Sequence, residues 1–481
     1  MMKTKNILFV LLIFTAQNVF SQNGSVGVVG AKATGMGRTA VTNTDGLFAI
    51  GSNPANLFQF NSYNKFELIV PLPLPAVSAK VGSNFFNLDE YNYFFGTSIT
   101  NENGDKVGRY LTDADKNRLK DLFSDGGTIT TGARINLFAI SVTPNHRFGT
   151  LAFSITDIIS GRMTFPKDII SLGLDGNLPN RVYNFNDTKF KSWWLRKYGF
   201  SYARSLNVFP MFKDFSFGVT LNFVQGYAYA GLDHVKTELT TNENNVITGK
   251  GDFLAYSAFS NDFNVKYDFD SLSVKKDANV SPFPQAAGSG VGFDFGLNAK
   301  VNEMWSIGFA ITDIGKVTWD KNVAEFRSND AIYLDDLTDK AQRDSLTDNL
   351  TGKGSGRYIN EITTDLPTAL RFGLALRMDR MFRYFPGRML VAFELNKGFN
   401  DQPGNSTKPR FSMGANWMPG GAFAFRTGFS FGGLDKFGWA MGLGMDFDLL
   451  EINIGTPDMQ YVLSPNNAKR ITVALDSRWK F

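Results

Sequence analysis

Phe437-Gly-Trp-Ala-Met-Gly-Leu-Gly-Met-Asp-Phe447 decides how the chain is read. Phe437, Trp439, Met441, Leu443, Met445 and Phe447 share one face of an extended strand, and Gly438, Ala440, Gly442, Gly444 and Asp446 share the other, because side chains alternate along a strand with a period of two. Strands of soluble sandwiches alternate too, but they turn a polar face to water. Here the second face is small rather than polar. Bulky aromatics opposite glycine and alanine fit a wall that turns its large residues to lipid and its small ones to a cramped interior.

The pattern recurs along the chain. Leu370, Phe372, Leu374 and Leu376 alternate with Arg371, Gly373, Ala375 and Arg377, and Val291 to Val301 alternate with Gly292, Asp294, Gly296, Asn298 and Lys300. Phe215 to Phe223 and Phe423 to Phe431 repeat it, the latter around Ala424, Arg426, Gly428 and Ser430. Each run approaches the roughly 9–11 residues that a tilted strand needs to cross a bilayer. The chain closes on a further alternating run, Ile471, Val473, Leu475, Ser477 and Trp479 with Lys480 and Arg478 between, and it ends on the aromatic Phe481. A terminal aromatic after an amphipathic strand resembles the end signal of bacterial outer-membrane barrels. The 46 phenylalanines and 47 glycines of the 481 residues suit the same architecture.

Other classes drop out. Cysteine is absent, which removes a disulfide framework, a thiolate metal site and an N-terminal lipid anchor. A net charge of +4 with scattered basic residues gives no nucleic-acid footprint. Met1–Ser21 reads as a cleavable secretory signal, with Lys3 and Lys5 ahead of an apolar run too short to span a membrane. The expected organisation is therefore a signal over 1–21, an N-terminal plug over 22–63 and an all-β transmembrane barrel over 64–481. About fourteen antiparallel strands are expected, an even number as such barrels require. Long connections at about 71–130, 160–190, 231–289 and 316–363 all fall on one side if both termini lie in the periplasm. Short helices are expected in these loops at 111–123, with Thr112 as N-cap, at 166–172 and at 337–350.

Between the signal and the first strand lies Gly30-Ala-Lys-Ala-Thr-Gly-Met-Gly-Arg-Thr39, leading to Gly51-Ser-Asn-Pro-Ala-Asn-Leu57. It is too soft to be a strand or a sturdy helix, so it needs a structure around it. Its glycines Gly35 and Gly37 permit tight turns and Asn53-Pro54 fixes a bend, as a plug folded inside the barrel requires. Gly35-Met-Gly37 lacks the strand and third glycine of a dinucleotide fingerprint.

No catalytic, metal or cofactor site is expected. His146 and His234 stand alone, without a nucleophile and orienting group. Asp113, Asp115 and Asn117 fail as a calcium loop, since Arg118 and Ser124 occupy the positions that need glycine and glutamate. A repeat, Phe153-Ser-Ile-Thr-Asp-Ile158 and Phe309-Ala-Ile-Thr-Asp-Ile314, offers Asp157 and Asp313 as a carboxylate pair; the preferred reading is that both mark the outer rim. Asp294, Lys300, Arg371, Arg377, Glu394, Arg426 and Asp446 fall on the lumen-facing side and carry both signs. They either select ions in a channel or pair across the interior and hold the plug, and the second reading is preferred.

Ala33-Thr-Gly-Met-Gly37 followed by Asn53-Pro-Ala55 and Leu57 is similar to the N-terminal region of FadL-type outer-membrane proteins, the long-chain fatty acid transporters. It also resembles the PorV-type barrels of type IX secretion. The nearest likeness, through Ile311–Trp319, is to a FadL-like set of unassigned function. The resemblance implies a fourteen-stranded monomeric barrel in the outer membrane of a diderm bacterium, with an N-terminal lumenal hatch that includes Asn53, Pro54 and Ala55. It implies that a hydrophobic or amphipathic compound enters from outside and leaves sideways beside a kinked strand. The alternative it carries is an interaction barrel that holds a secreted or surface protein.

Overall fold

The structure, a computed structural model, describes residues 30–58, 65–96, 110–176, 178–206, 209–244, 246–269, 281–334 and 356–481, with a few positions of 97–109 and 270–280. The expected signal and the helix expected at 337–350 lie outside the described residues.

Fourteen strands close into an antiparallel barrel. In chain order they are β1 (Phe66–Ile69, resumed as Ala76–Ser83), β2 (Gly127–Asn145), β3 (Gly149–Phe165), β4 (Lys189–Ser205), β5 (Asp214–Thr241), β6 (Gly288–Lys300) and β7 (Trp305–Trp319). They continue as β8 (Ile362–Asp365, resumed as Ala369–Arg377), β9 (Arg388–Gly398), β10 (Arg410–Met418), β11 (Phe423–Gly432), β12 (Lys436–Asp446), β13 (Leu450–Thr456) and β14 (Arg470–Lys480). Each pairs with the next, and β14 returns to β1 through Leu68↔Trp479 and Val77↔Leu475.

The faces sort as alternation dictates. On β12, Leu443 is 53% exposed while Gly442 and Gly444 are buried. A sheet that closes on itself has no free edge, so its outer face can sit in hydrocarbon with every ladder group paired. None of the described helices is long and apolar enough to cross a membrane; the strands do the crossing. Short turns join β2 to β3, β6 to β7, β10 to β11 and β12 to β13 at one end, and the long connections gather at the other, called here the outer end.

Two departures from the sequence reading have physical reasons. The connection expected from 71 begins later, because β1 resumes at Ala76. Prolines 71, 73 and 75 remove three ladder donors, so Val70–Pro75 loops out of the wall, where Leu72 is 71% exposed. The stretch expected as a loop from 231 is partly strand: β5 rises past the wall to Thr241 and pairs with Ile247–Phe259, which pairs with Val323–Leu334. Finally, Asp157 and Asp313 do not form the carboxylate pair; each has its own basic partner. Thr156 lines a lumenal cavity, so its neighbour Asp157 faces the opposite side of the sheet, where Arg196 grips it at 2.6 and 2.8 Å. Asp313 sits at a bulge with φ of 62°, which re-aims it into the lumen against Lys197.

Among the loops, α1 (Leu88–Phe95) and α2 (Asp113–Leu122) both start with capping boxes, from Asn87 and Thr112. The helix expected at 166–172 runs Lys167–Asp175. α1 went unforeseen because aromatic residues crowd it and obscure its period.

Candidate functional site

Residues 30–58, the segment expected as a plug, pack against the inward faces of the wall. A short helix at Ala31–Gly35 and two single 3₁₀ turns, Gly46–Ala49 and Pro54–Leu57, give this segment its local shape. The wall supplies everything else, in three groups of charges.

At the short-turn end Arg478 of β14 reaches Asp45 at 2.8 Å, Glu451 at 2.6 Å and Glu67 at 3.2 Å, and lies 4.4 Å over the Phe48 ring. Asp476 accepts the Ala31 amide at 2.5 Å. At mid-height Glu394 of β9 accepts the amides of Ala40 and Val41 at 2.6 and 2.9 Å while Arg371 of β8 donates to it at 3.2 Å. At the outer end Arg38 of the plug meets Asp435 at 2.7 Å, and Lys80 and Arg470 converge on the same carboxylate. Burial alone would raise the Asp435 carboxyl, but Lys80, Arg470 and Arg38 together hold it well below the usual carboxylate range.

Glycines set how closely plug and wall approach. A Cβ on Gly35 would stand 2.8 Å from the Cα of Gly442, and one on Gly428 would stand 2.5 Å from the Met36 carbonyl carbon. Gly37 has φ of +67°, a region costly for residues with a side chain. Asn53 caps its turn by accepting the Ala55 amide and donates from Nδ2 to Val41 O at 2.7 Å and to Leu297 O of β6 at 3.0 Å. Pro54 and Ala55 pass over Gly218 of β5. An apolar patch of Leu47, Phe48, Ile50, Leu57 and Phe58 packs on Ile69, Ala139, Ala152 and Ala203 of the wall.

The seven polar positions singled out from the sequence divide into two sets. Asp294, Arg371, Glu394 and Arg426 are buried. Asp294 accepts from Asn222 and from the Asp313 amide, and Arg426 donates to Asn416 at 2.9 Å. Lys300, Arg377 and Asp446 instead lie at strand ends, paired with Asp214, Asp379 and Lys480. Residues the sequence reading did not single out carry much of the attachment: Lys80, Arg134, Asp435, Arg470, Asp476 and Arg478. Most share the inward parity of their strands, which was the available signal; Asp435 lies in a turn, where parity says nothing. His146 sits in the β2–β3 turn, 6.1 Å from the Phe58 ring, and His234 is on the outer extension of β5, 3.1 Å from Asp252. Among the described residues no His, Cys, Asp and Glu group could hold a metal ion.

Two cavities meet at the outer end. The first is the mouth of the lumen, about 1130 Å³, lined by polar side chains including Arg162, Lys167, Lys189, Lys408, Asp401 and Asp435. The second, about 1260 Å³, lies outside the wall. Its floor is the lipid-facing side of the sheet, Val81, Ile129, Leu443, Ile454 and Val473, and its roof is α1 with Phe85, Leu88, Tyr91 and Phe95. Phe85, Phe94, Leu119 and Phe123 bind that roof to the loop beneath it. Gly82, Ser83, Phe165, Tyr461, Lys469 and Arg470 line both cavities.

Fold and site together define a transmembrane β-barrel with an apolar groove beside its mouth. The chain belongs to a family of unknown function, DUF5723, which matches residues 60–456. Solved structures similar to it include the toluene transporter TbuX of Ralstonia pickettii, at 13% identity over 95% of this chain and 99% of that one with a TM-score of 0.45. The toluene transporter TodX of Pseudomonas putida is similar at 12% identity over 96% and 99%, with a TM-score of 0.43. A FadL homologue of Pseudomonas aeruginosa is similar at 11% identity over 95% and 100%, with a TM-score of 0.47. No curated protein matches the chain.

Proposed function

We propose that this protein is an outer-membrane barrel that binds a hydrophobic or amphipathic compound at its outer end and passes it inward past the N-terminal plug. The observation that carries this reading is the groove of about 1260 Å³ outside the wall. Its lining is almost wholly apolar, and sites for small hydrophobic molecules are concave, apolar and largely preformed. The shared rim lets a tail rest in the groove while a polar head reaches the mouth. Gly35, Gly37, Asn53, Pro54 and Ala55 act in this reading as positions that let the plug fit the wall closely and yet leave it. Glu394, steadied by Arg371, holds it. The loop at Val70–Pro75 breaks the ladder of β1 beside the apolar contact between plug and wall, which favours a sideways exit there.

A second reading, an interaction barrel that holds a secreted or surface protein, draws support from the sheet built on β5, which stands above the wall. Gentle extraction followed by mass spectrometry of bound molecules separates the two. The first reading expects a lipid-like compound at near-stoichiometric amount, lost when Phe95 is replaced by Glu. A stoichiometric protein partner with no bound amphiphile overturns it.

A further inference from the structure

The outer connection between β11 and β12 is a tight turn, Gly432-Gly-Leu-Asp-Lys436, and it carries an acid to an unusual place. Asp435 is surrounded by cations from three separate parts of the chain: Arg38 of the plug, Lys80 of β1 and Arg470 of β14. Arg470 also donates to the Asp435 main-chain oxygen at 2.8 Å and is steadied by Asp458 at 2.5 Å. The four converging side chains are at most 9% exposed. Three basic side chains thus converge on one carboxylate inside a low-dielectric space, where charge is felt strongly. Lys80, Asp435 and Arg470 line the mouth cavity, so the cluster faces the route by which a ligand arrives.

We propose that this cluster is an oxyanion site which the chain keeps filled with its own Asp435 carboxylate. A carboxylate or phosphate reaching the mouth exchanges with Asp435 on Lys80 and Arg470. Asp435 also anchors Arg38, so the exchange weakens the hold on the outer end of the plug. The site thereby selects anionic ligands and couples their arrival to loosening of residues 31–58. The anchor at Glu394, lower in the lumen, keeps the plug in place until then. This inference rests on the reading of the outer end as the place where ligand is taken up.

The test uses the full-length protein in detergent, with hydrogen exchange of residues 31–58 as the readout and decanoate, decanol and inorganic phosphate as probes. Decanoate is expected to speed exchange of 31–44 severalfold, whereas decanol, with the same chain and no charge, leaves it unchanged. Asp435→Asn should exchange faster without any ligand. It should also bind inorganic phosphate about tenfold more tightly than the native chain, because removing an internal competitor raises the competent fraction. Phosphate binding to this variant without any decanoate effect on the native chain would keep the oxyanion site and assign it to a free anion rather than a lipid head. If decanoate and decanol bind equally and neither alters 31–58, the latch fails while the uptake reading stands. If neither binds, and Asp435→Asn gains no phosphate affinity, both fail. Should the variant not fold, decanoate against decanol on the native chain decides the matter.

Discussion

The mouth of the lumen and the groove outside it have nearly the same volume, about 1130 and 1260 Å³, and share part of their rim. Their linings differ: charged and apolar side chains share the first, and the second is almost wholly apolar. Strand parity accounts for this: Lys80 and Val81, or Arg470 and Ile471, are adjacent residues that point to opposite sides of one sheet. Two neighbouring cavities, one charged and one apolar, thus arise from the same few residues at the outer ends of β1 and β14. What is held by charge can be released by charge, while the groove needs only apolar shape. In the proposed function, plug retention falls to one cavity and tail binding to the other.

The largest break in this division should come from Glu394→Gln. It removes the charge that pairs with Arg371 and weakens acceptance of the Ala40 and Val41 amides, and breaking such a buried pair costs about 3–5 kcal/mol. Exchange protection of residues 31–58 should fall accordingly, with the barrel still folded by heat-dependent gel migration. Gly428→Ala puts a methyl against the Met36–Gly37 backbone and should loosen the same residues by about 1–3 kcal/mol. Phe95→Glu sharpens the comparison from the other side. It should weaken binding of an alkyl probe about tenfold, as placing a charge beside an apolar tail does, and leave the exchange of 31–58 unchanged. Thr112→Ala removes the cap of α2 and should cost that helix about 1 kcal/mol, visible as faster exchange confined to the outer loop.

The pH dependence follows from Asp435. Its carboxyl is depressed in the folded state, so its contribution is complete above the unfolded value of about 3.9 and is lost only as pH falls through the lower folded value. Asp435 should therefore stay ionised between pH 8 and 5, which a carboxyl-carbon NMR titration checks; a protonation step at Asp435 within that window would contradict the cluster of cations around it.

Most of the barrel was legible in the sequence. Alternation in runs such as Phe437–Phe447 marks the strands because one face meets lipid and the other a narrow lumen, and no other environment asks for aromatics opposite glycine. Residues 30–58 were legible as a segment unable to stand alone. Their attachment was only partly so: parity pointed to Arg371 and Glu394, but nothing local reveals that Glu394 accepts amides some 350 residues away in sequence. Asp435 was invisible because a turn has no period. The groove was hidden for a different reason. Its floor is ordinary lipid-facing wall, and only the return of α1 and of residues 459–465 over the rim turns that surface into a cavity.

The central claim is that the groove, rather than the general lipid-facing wall, takes an alkyl chain. Photocrosslinking in membranes with an alkyl carboxylate bearing a diazirine near its tail tests this directly, with the labelled residues read by mass spectrometry. The account predicts labels concentrated on Tyr91, Phe95 and Val473, suppressed by excess decanoate. Labels spread evenly over wall residues such as Phe372, Phe393 and Phe411, and indifferent to competitor, would contradict it.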